Sequence, residues 1–184
     1  MTESVGGYIA GTLDLGVKYF RGTVHRNRFS VYVDTDYATC PVTRRSVCMI
    51  IVFLHGGPIY WKCKLMADVV AGTMGTEHMG LYGAVMETKY FRSLFNEMGF
   101  PQREPTIVYC DNSAAVQFAT TARITQENKH VDIKYMATKH CVDRGLVHIW
   151  YKRTHANVAD IGTRAMKDAG QFQLLRDHLV RAPG

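Results

Sequence analysis

The sequence predicts one mixed α/β domain in which three antiparallel strands come first and helices then alternate with parallel strands. Three short runs rich in β-branched and aromatic residues follow one another with short connections, which favours an antiparallel meander. Behind them come one long segment with helical periodicity and then strand-like and helix-like segments in turn. This order is typical of a mixed sheet with helices on its faces.

Each predicted strand is a short, largely apolar run. Phe29–Asp34 alternates with a period of two residues, and Arg45–Leu54 is rich in β-branched side chains before the Gly56-Gly57 turn. The remaining predicted strands are Pro58–Cys63, Thr106–Cys110 and Leu146–Tyr151.

The long helix is predicted from Thr73 to Met98, because apolar residues recur there at helical spacing. This stripe consists of Met74, Leu81, Ala84, Val85, Thr88, Phe91, Phe95 and Met98. Gly99 ends the helix and Pro101 prevents it from restarting. Helical segments are also predicted at three later places: from Asp111, over residues 130–143, and from near Asn157.

Length and composition indicate an ordinary globular domain. The chain has 184 residues, of which 47% are hydrophobic and 21% charged, which excludes a disordered or low-complexity protein. Its 22 Lys and Arg residues against 16 Asp and Glu residues give a net charge of +6, which suits a polyanionic partner.

The apolar runs are too short to cross a membrane, and the first residues lack the apolar core of a signal peptide. The five cysteines include no C-x-x-C pair. The sequence therefore predicts an intracellular protein, in a cytoplasmic particle or the nucleus, with neither a disulfide framework nor a zinc site.

Residues 1–28 differ from the rest of the chain, because glycines interrupt them and most of their charged side chains are basic. We interpret them as the remnant of an upstream segment and place the domain at residues 29–165. A helical tail is predicted over residues 166–184 from the apolar residues Phe172, Leu174, Leu175 and Leu179.

Glu77 is the most informative acidic residue. It lies three residues after Met74 and four before Leu81, on the apolar stripe of the long helix, where an unpaired charge is costly. A frayed helix end in water, near the positive pole of the helix dipole, explains the same position. The pattern alone leaves both interpretations open.

Three further carboxylates lie at strand ends or at a helix start. Asp34 ends the first strand with Asp36 on the same face, and this pair also suits the capping of a turn. Asp111 follows the fourth strand, where Asp is a favoured helix N-cap. Asp160 stands three residues after Asn157, a spacing typical of a capping box. Each position taken alone therefore has a structural explanation.

Taken together, the four carboxylates indicate a metal site. Strand ends of an α/β sheet converge on one edge, where ligands bind. Clustered carboxylates repel one another unless a cation neutralises them, and oxygen ligands favour Mg²⁺ or Mn²⁺. Two metal ions held by carboxylates against a phosphodiester are suited to hydrolysis of nucleic acid.

An ordered set of motifs covers the chain up to about Ala165. The motifs are Y-V-D-T-D-Y-A (32–38), P-V-T-R-R-S (41–46), G-G-P-I-Y-W-K-C-K (56–64), T-E-H-M (76–79), Y-C-D-N-S-A (109–114), K-H-V-D-I (129–133) and N-V-A-D-I-G-T-R (157–164). This set resembles the ribonuclease H domain of copia-type LTR retrotransposon Pol polyproteins. Residues 11–17 resemble the stretch that joins the reverse transcriptase to that domain, which implies that residues 1–28 are a remnant of it.

The resemblance implies a ribonuclease H-like fold that cleaves the RNA strand of an RNA–DNA hybrid. The acidic metal ligands of the family correspond to Asp34, Glu77, Asp111 and Asp160, which would bind two Mg²⁺ or Mn²⁺ ions. One metal ion would activate the attacking water while both stabilise charge on the scissile phosphate. The products would carry a 3′ hydroxyl and a 5′ phosphate.

The expected partners are the hybrid and the reverse transcriptase portion of the same polyprotein, with no membrane and no small-molecule cofactor. Candidate residues for contacts with the hybrid are Arg44, Arg45, Lys62, Lys64, Asn112, Lys129 and Asn157. A solvated basic face explains any one of the lysines equally well. Trp61 and Trp150 are expected to pack in the core or on the sheet, and His155 to be a solvent-exposed loop residue.

The chain departs from the family pattern in two ways. Glycines occur in or beside the long helix at positions 72, 75, 80 and 83, where each costs about 1 kcal/mol against Ala. Arg164 replaces the Lys that is usual in the last motif. These departures motivate a second hypothesis, that the chain is a catalytically weak or silent nucleic-acid-binding remnant.

Overall fold

A five-stranded mixed sheet forms the centre of the fold. In this computed structural model, which describes residues 2–21, 28–40, 42–66, 73–121 and 133–182, the strands are β1 (Phe29–Asp36), β2 (Val47–Leu54), β3 (Gly57–Leu65), β4 (Thr106–Cys110) and β5 (Val147–Tyr151). They are arranged in the order β3-β2-β1-β4-β5, with β1–β2 and β2–β3 antiparallel and β1–β4 and β4–β5 parallel. The predicted fold class is confirmed.

The helices are α1 (Thr2–Ala10), α2 (Thr73–Glu97), α3 (Ser113–Thr121), α4 (Ile133–Asp143) and α5 (Ala169–Leu179). Helices α2–α5 follow the predicted order, whereas α1, within residues 1–28, was not predicted. The helical region predicted from near Asn157 consists of two 3-10 turns, Thr154–Ala156 and Val158–Gly162, which we call the 3-10 segment. Asn157 separates the two turns with an extended backbone, and its side chain caps the second turn by accepting from the amide of Ala159.

The main core lies between the sheet and helices α2–α4. Val31 and Val33 of β1 pack with Val108 of β4 against Leu81 and Val85 of α2, and each of these side chains is at most 1% exposed. The β-branched side chains suit a buried parallel strand pair, and the predicted helical stripe provides the complementary surface.

The apolar stripe of α2 is the buried face of the helix, with one exception. Met98 is 57% exposed, because α2 ends at Glu97 and the chain turns away at Gly99, whose φ is +82°. The side chain of Met74 lies outside the described residues.

A second, smaller core covers the opposite face of the sheet. Met49 and Ile51 of β2 pack against Val158 and Ala159 of the 3-10 segment and against Leu175 of α5. This packing fixes the 3-10 segment on the sheet, next to the end of β1.

Both tryptophans are exposed, so the expectation that they pack in the core or on the sheet was wrong. Trp61 of β3 is 62% exposed and Trp150 of β5 is 51% exposed. β3 and β5 are the two edge strands, where a side chain has strand neighbours on one side only.

Residues 2–21 contact the sheet domain at several places. Gly16 and Arg181 form an antiparallel bridge, and the Tyr19 hydroxyl donates to the carbonyl of Pro58 at 2.9 Å. The boundaries at residues 28 and 165 stay a prediction. Among the described residues, no helix is long and apolar enough to cross a membrane.

Candidate metal centre

The C-terminal ends of β1 and β4 lie side by side, because these strands are adjacent and parallel, with Val33 opposite Cys110. A pocket of about 160 Å³ opens at this edge of the sheet. It is lined by Asp34, Thr35, Asp36, Glu77, Asp111, Thr154, Asp160, Thr163 and Arg164. The four carboxylates that the sequence singled out therefore meet in one pocket, together with Asp36.

Two strand-end carboxylates are held by threonines of the C-terminal part of the chain. The Thr163 hydroxyl donates to Oδ2 of Asp34, which is 5% exposed. The Thr154 hydroxyl donates to Oδ2 of Asp111 at 2.8 Å. Each bond leaves the second oxygen of the carboxylate free of that threonine.

Asp111 is not the N-cap of the following helix. Asn112 performs this function, because its Oδ1 accepts from the amide of Ala115 at 2.9 Å. The capping explanation for Asp111 is thereby removed, since the helix start is already satisfied by the next residue.

Glu77 enters the pocket from α2. It is 9% exposed on the face of the helix that packs on β1, so the interpretation as a frayed end in water was wrong. A carboxylate this deeply buried needs neighbours that compensate its charge.

Asp160 enters from the second 3-10 turn and is 4% exposed. Both of its oxygens are bound by one guanidinium, with Arg164 Nε at 2.8 Å from Oδ1 and Nη2 at 2.9 Å from Oδ2. Among the described residues that line the pocket, Arg164 supplies the only cationic side chain.

The electrostatics of the pocket disfavour several ionised carboxylates at once. Burial, followed by repulsion from Asp111 and Asp160, raises the pKa of Asp34 to about 7 against the opposing bond from Thr163. Burial, together with Asp111, Asp34 and Asp36, raises the pKa of Glu77 to about 7. A divalent cation in the pocket would reverse this effect by stabilising the ionised forms.

These shifts predict how stability depends on pH without metal. Because the folded-state pKa values of Asp34 and Glu77 lie above their unfolded values of 3.8 and 4.5, the folded chain keeps protons that the unfolded chain releases. The contribution of these groups to stability is therefore full below about pH 4 and is lost as the pH rises to about 7. Thermal unfolding in EDTA should show this loss in the wild type and a smaller one in Asp34→Asn. If the melting temperatures of the two proteins depend on pH in the same way, this prediction is contradicted.

The donor set fits a divalent cation. Ligand atoms of Glu77, Cys110 and Asp111 all lie within 4.8 Å of one another. Burial, with help from the nearby carboxylates, raises the pKa of the Cys110 thiol to about 12, so this group stays neutral and the carboxylates supply the charge. The carboxylate oxygens that line the pocket are the kind of ligand that suits a hard cation.

The predicted basic contacts with nucleic acid fall in different environments. Arg44 and Lys64 are exposed and Arg45 is half-buried. Lys62 forms an ion pair with Glu87 of α2 at 2.7 Å, which reduces its availability for a phosphate. Lys129 lies outside the described residues.

The prediction that Asn157 contacts the hybrid is corrected, because its side chain is not exposed to solvent. It is 0% exposed, and its Nδ2 donates to the carbonyl of Val33 at 2.9 Å. Asn157 therefore ties the 3-10 segment to β1, one residue before Asp34. Asn112 is half-buried and caps α3. His155 is exposed, as expected.

Sequence reasoning missed the roles of Thr154 and Thr163. Thr163 stands inside the last motif, three residues after Asp160, so the motif contained a signal that was not used. Thr154 has no local signal, because its partner Asp111 is 43 residues away in the chain.

Sequence comparison finds Pol polyproteins from plant transposons among the similar proteins. No protein-family model matches the chain. The chain is 28% identical over 161 residues to the retrovirus-related Pol polyproteins from transposons RE2 and RE1 of Arabidopsis thaliana, an alignment that covers 86% of the chain and 11% of each relative. It is 26% identical over 146 residues to the corresponding polyprotein from transposon TNT 1-94 of Nicotiana tabacum, covering 79% of the chain and 11% of that relative. The resemblance to Pol polyproteins is confirmed, and the chain spans about a tenth of their length.

Solved structures of ribonucleases H are among those that match. LC11-RNase H1, isolated from compost by a metagenomic approach, superimposes with a TM-score of 0.52 and 13% identity over 73% of this chain and 91% of that one. The same enzyme in complex with an RNA/DNA hybrid gives a TM-score of 0.51 and 10% identity, over 73% and 93% of the two chains. The fold of this chain is therefore that of ribonuclease H.

Proposed function

We propose that the chain is a retrotransposon-derived ribonuclease H that hydrolyses the RNA strand of RNA–DNA hybrids. The observation that carries the proposal is the pocket itself, where carboxylates from β1, α2, the end of β4 and the 3-10 segment converge. Each of these carboxylates also stands in a motif of the family that the chain resembles. A merely structural origin of the pocket is disfavoured, because buried carboxylates that repel one another destabilise a protein without a cation.

In this proposal Asp34, Glu77, Asp111 and Asp160 are the metal ligands, and two Mg²⁺ ions are the natural cations. When bound, these ions would activate the attacking water and stabilise negative charge on the scissile phosphate. The chain's own contribution is to hold the ligands in place. Thr163 fixes one oxygen of Asp34, and Thr154 fixes one oxygen of Asp111. Asn157 anchors the segment that carries Asp160.

The hybrid would be held by basic and polar side chains. Arg44 and Lys64 are exposed and carry this role best, with Arg45, Asn112 and Lys129 as further candidates. The net charge of +6 supports binding of a polyanion and predicts that affinity falls with salt. We propose further that residues 1–28 derive from a reverse transcriptase connection and that the reverse transcriptase portion of the same polyprotein is the natural partner.

One glycine of α2, Gly80, has a packing reason rather than being a sign of decay. A Cβ atom on Gly80 would lie 2.2 Å from Cγ2 of Thr35, so the close packing of α2 on β1 beside the pocket requires glycine there. One of the motives for the hypothesis of a silent remnant is thereby weakened.

Substrate selectivity tests the proposed function. The purified chain, with Mg²⁺, should cleave a labelled RNA strand paired with DNA and should leave the DNA strand and a DNA duplex of the same sequence intact. The products should carry a 5′ phosphate. Binding of the hybrid that weakens with salt, without cleavage in either Mg²⁺ or Mn²⁺, would instead favour the silent remnant.

A further inference from the structure

We propose that Arg164 is a positioning residue that competes with divalent cations for Asp160, and so sets how tightly this site binds metal. The inference rests on the proposed function, because it takes Asp160 as a metal ligand. It goes beyond that function by assigning a control of metal affinity to a side chain that is not itself a ligand.

The geometry leaves Asp160 little capacity for another cation. Nε and Nη2 of Arg164 lie 2.8 and 2.9 Å from Oδ1 and Oδ2, so one guanidinium engages both oxygens. The Asp160 side chain is buried, while the Arg164 side chain is 52% exposed. The guanidinium therefore contacts both the buried carboxylate and the solvent at the pocket.

The other pocket carboxylates are engaged differently. Thr163 binds a single oxygen of Asp34, and Thr154 binds a single oxygen of Asp111. The hydroxyl group of a threonine carries no net charge. Such a bond orients a metal ligand without competing for its charge. Arg164 both orients the Asp160 carboxylate and competes with a metal ion for it, because its positive charge also repels a second cation a few ångströms away.

Without metal, the same contact stabilises the fold. Arg164 places a positive charge among Asp34, Asp36, Glu77, Asp111 and Asp160, which line the same pocket. Its removal should lower the melting temperature of the metal-free protein and increase the stabilisation that a bound divalent cation provides.

The residue type at position 164 determines how firmly the cationic group holds Asp160. The family that the chain resembles usually has Lys at this position. A lysine ammonium is a single point charge and cannot hold two carboxylate oxygens with a planar fork. Affinity for a divalent cation should therefore rise in the order wild type, Arg164→Lys, Arg164→Gln.

Binding of Mn²⁺, followed by electron paramagnetic resonance and calorimetry at fixed ionic strength, tests the inference. Arg164→Gln should bind about fivefold more tightly than the wild type, with Arg164→Lys between them. Arg176→Gln is the matched control, because Arg176 pairs with Asp177 on α5 and does not line the pocket, and its Mn²⁺ affinity should not change. If Arg164→Gln fails to fold, the comparison of Arg164→Lys with the wild type decides.

The outcomes separate the two proposals. Equal or weaker Mn²⁺ binding in the Arg164 variants, with clear binding in the wild type, overturns the role of Arg164 and leaves the proposed function intact. If the wild type binds no Mn²⁺, the metal site fails and the role of Arg164 fails with it. If Asp160→Asn binds as tightly as the wild type, Asp160 is not a metal ligand, which overturns the role of Arg164 and leaves the other carboxylates as the metal site.

Discussion

Asp34→Asn is expected to abolish Mg²⁺-dependent hybrid cleavage while making the metal-free protein more stable. Asp34 is 5% exposed, and burial with nearby Asp111 and Asp160 raises its pKa to about 7. The substitution removes a buried charge that repels its neighbours, and Asn keeps an oxygen that can accept from Thr163. We expect a gain of about 1 to 3 kcal/mol in the free energy of unfolding at pH 8 in EDTA. The cleavage rate should fall about a thousandfold or more, because the variant lacks a charged metal ligand.

The matched control is Asp143→Asn. Asp143 is 57% exposed on α4 and pairs with Lys139, outside the pocket. This variant should cleave at the wild-type rate and show little change in melting temperature. A loss of stability in Asp34→Asn, or equal cleavage by both variants and the wild type, would contradict this account of the pocket.

Gly80→Ala is expected to destabilise the protein although Ala is the better helix former. The added Cβ would lie 2.2 Å from Cγ2 of Thr35 and 3.5 Å from Sγ of Cys48. Thr35 is buried on β1, directly after Asp34, so it has little room to retreat. We expect a loss of about 1 to 3 kcal/mol in the free energy of unfolding, as for other overpacked cores. Thermal unfolding measures it, and displacement of Thr35 should also lower the cleavage rate.

Gly83→Ala provides the comparison within the same helix. Within the part of the chain that the structure describes, a Cβ there would meet only Cδ1 of Ile50 at 3.4 Å, the flexible end of a side chain. The gain in helix propensity, about 1 kcal/mol, should make this variant as stable as the wild type or more so. If Gly80→Ala and Gly83→Ala shift the melting temperature equally, the close approach of α2 to Thr35 is not the reason that glycine is required at position 80.

The sheet was predictable because its determinants are local. The runs that form β1, β2 and β4 are rich in β-branched side chains, and a buried strand needs little more than such a run between turn residues. The burial of Glu77 was also foreseeable as one of two interpretations, since it stands on the apolar stripe of α2. The choice between them depended on packing, because β1 covers that end of the helix.

The rest of the site depended on contacts that are distant in the chain. Asn157 has the polar character of a surface residue, yet its side-chain amide is buried and donates to the carbonyl of Val33, 124 residues earlier. The pairing of Lys62 with Glu87 spans 25 residues and connects a strand to a helix, so no motif reports it. Trp61 and Trp150 resemble core residues by composition, and only the position of their strands at the sheet edges exposes them.

A carboxylate pocket that binds divalent metal to cut the RNA strand of a hybrid should lose activity with either the metal or a ligand. The deciding measurement is the cleavage rate of a labelled hybrid by the wild type and by Asp111→Asn, each in Mg²⁺ and in EDTA. We expect cleavage only by the wild type and only in Mg²⁺. Cleavage by the wild type in EDTA, or undiminished cleavage by Asp111→Asn in Mg²⁺, would contradict it.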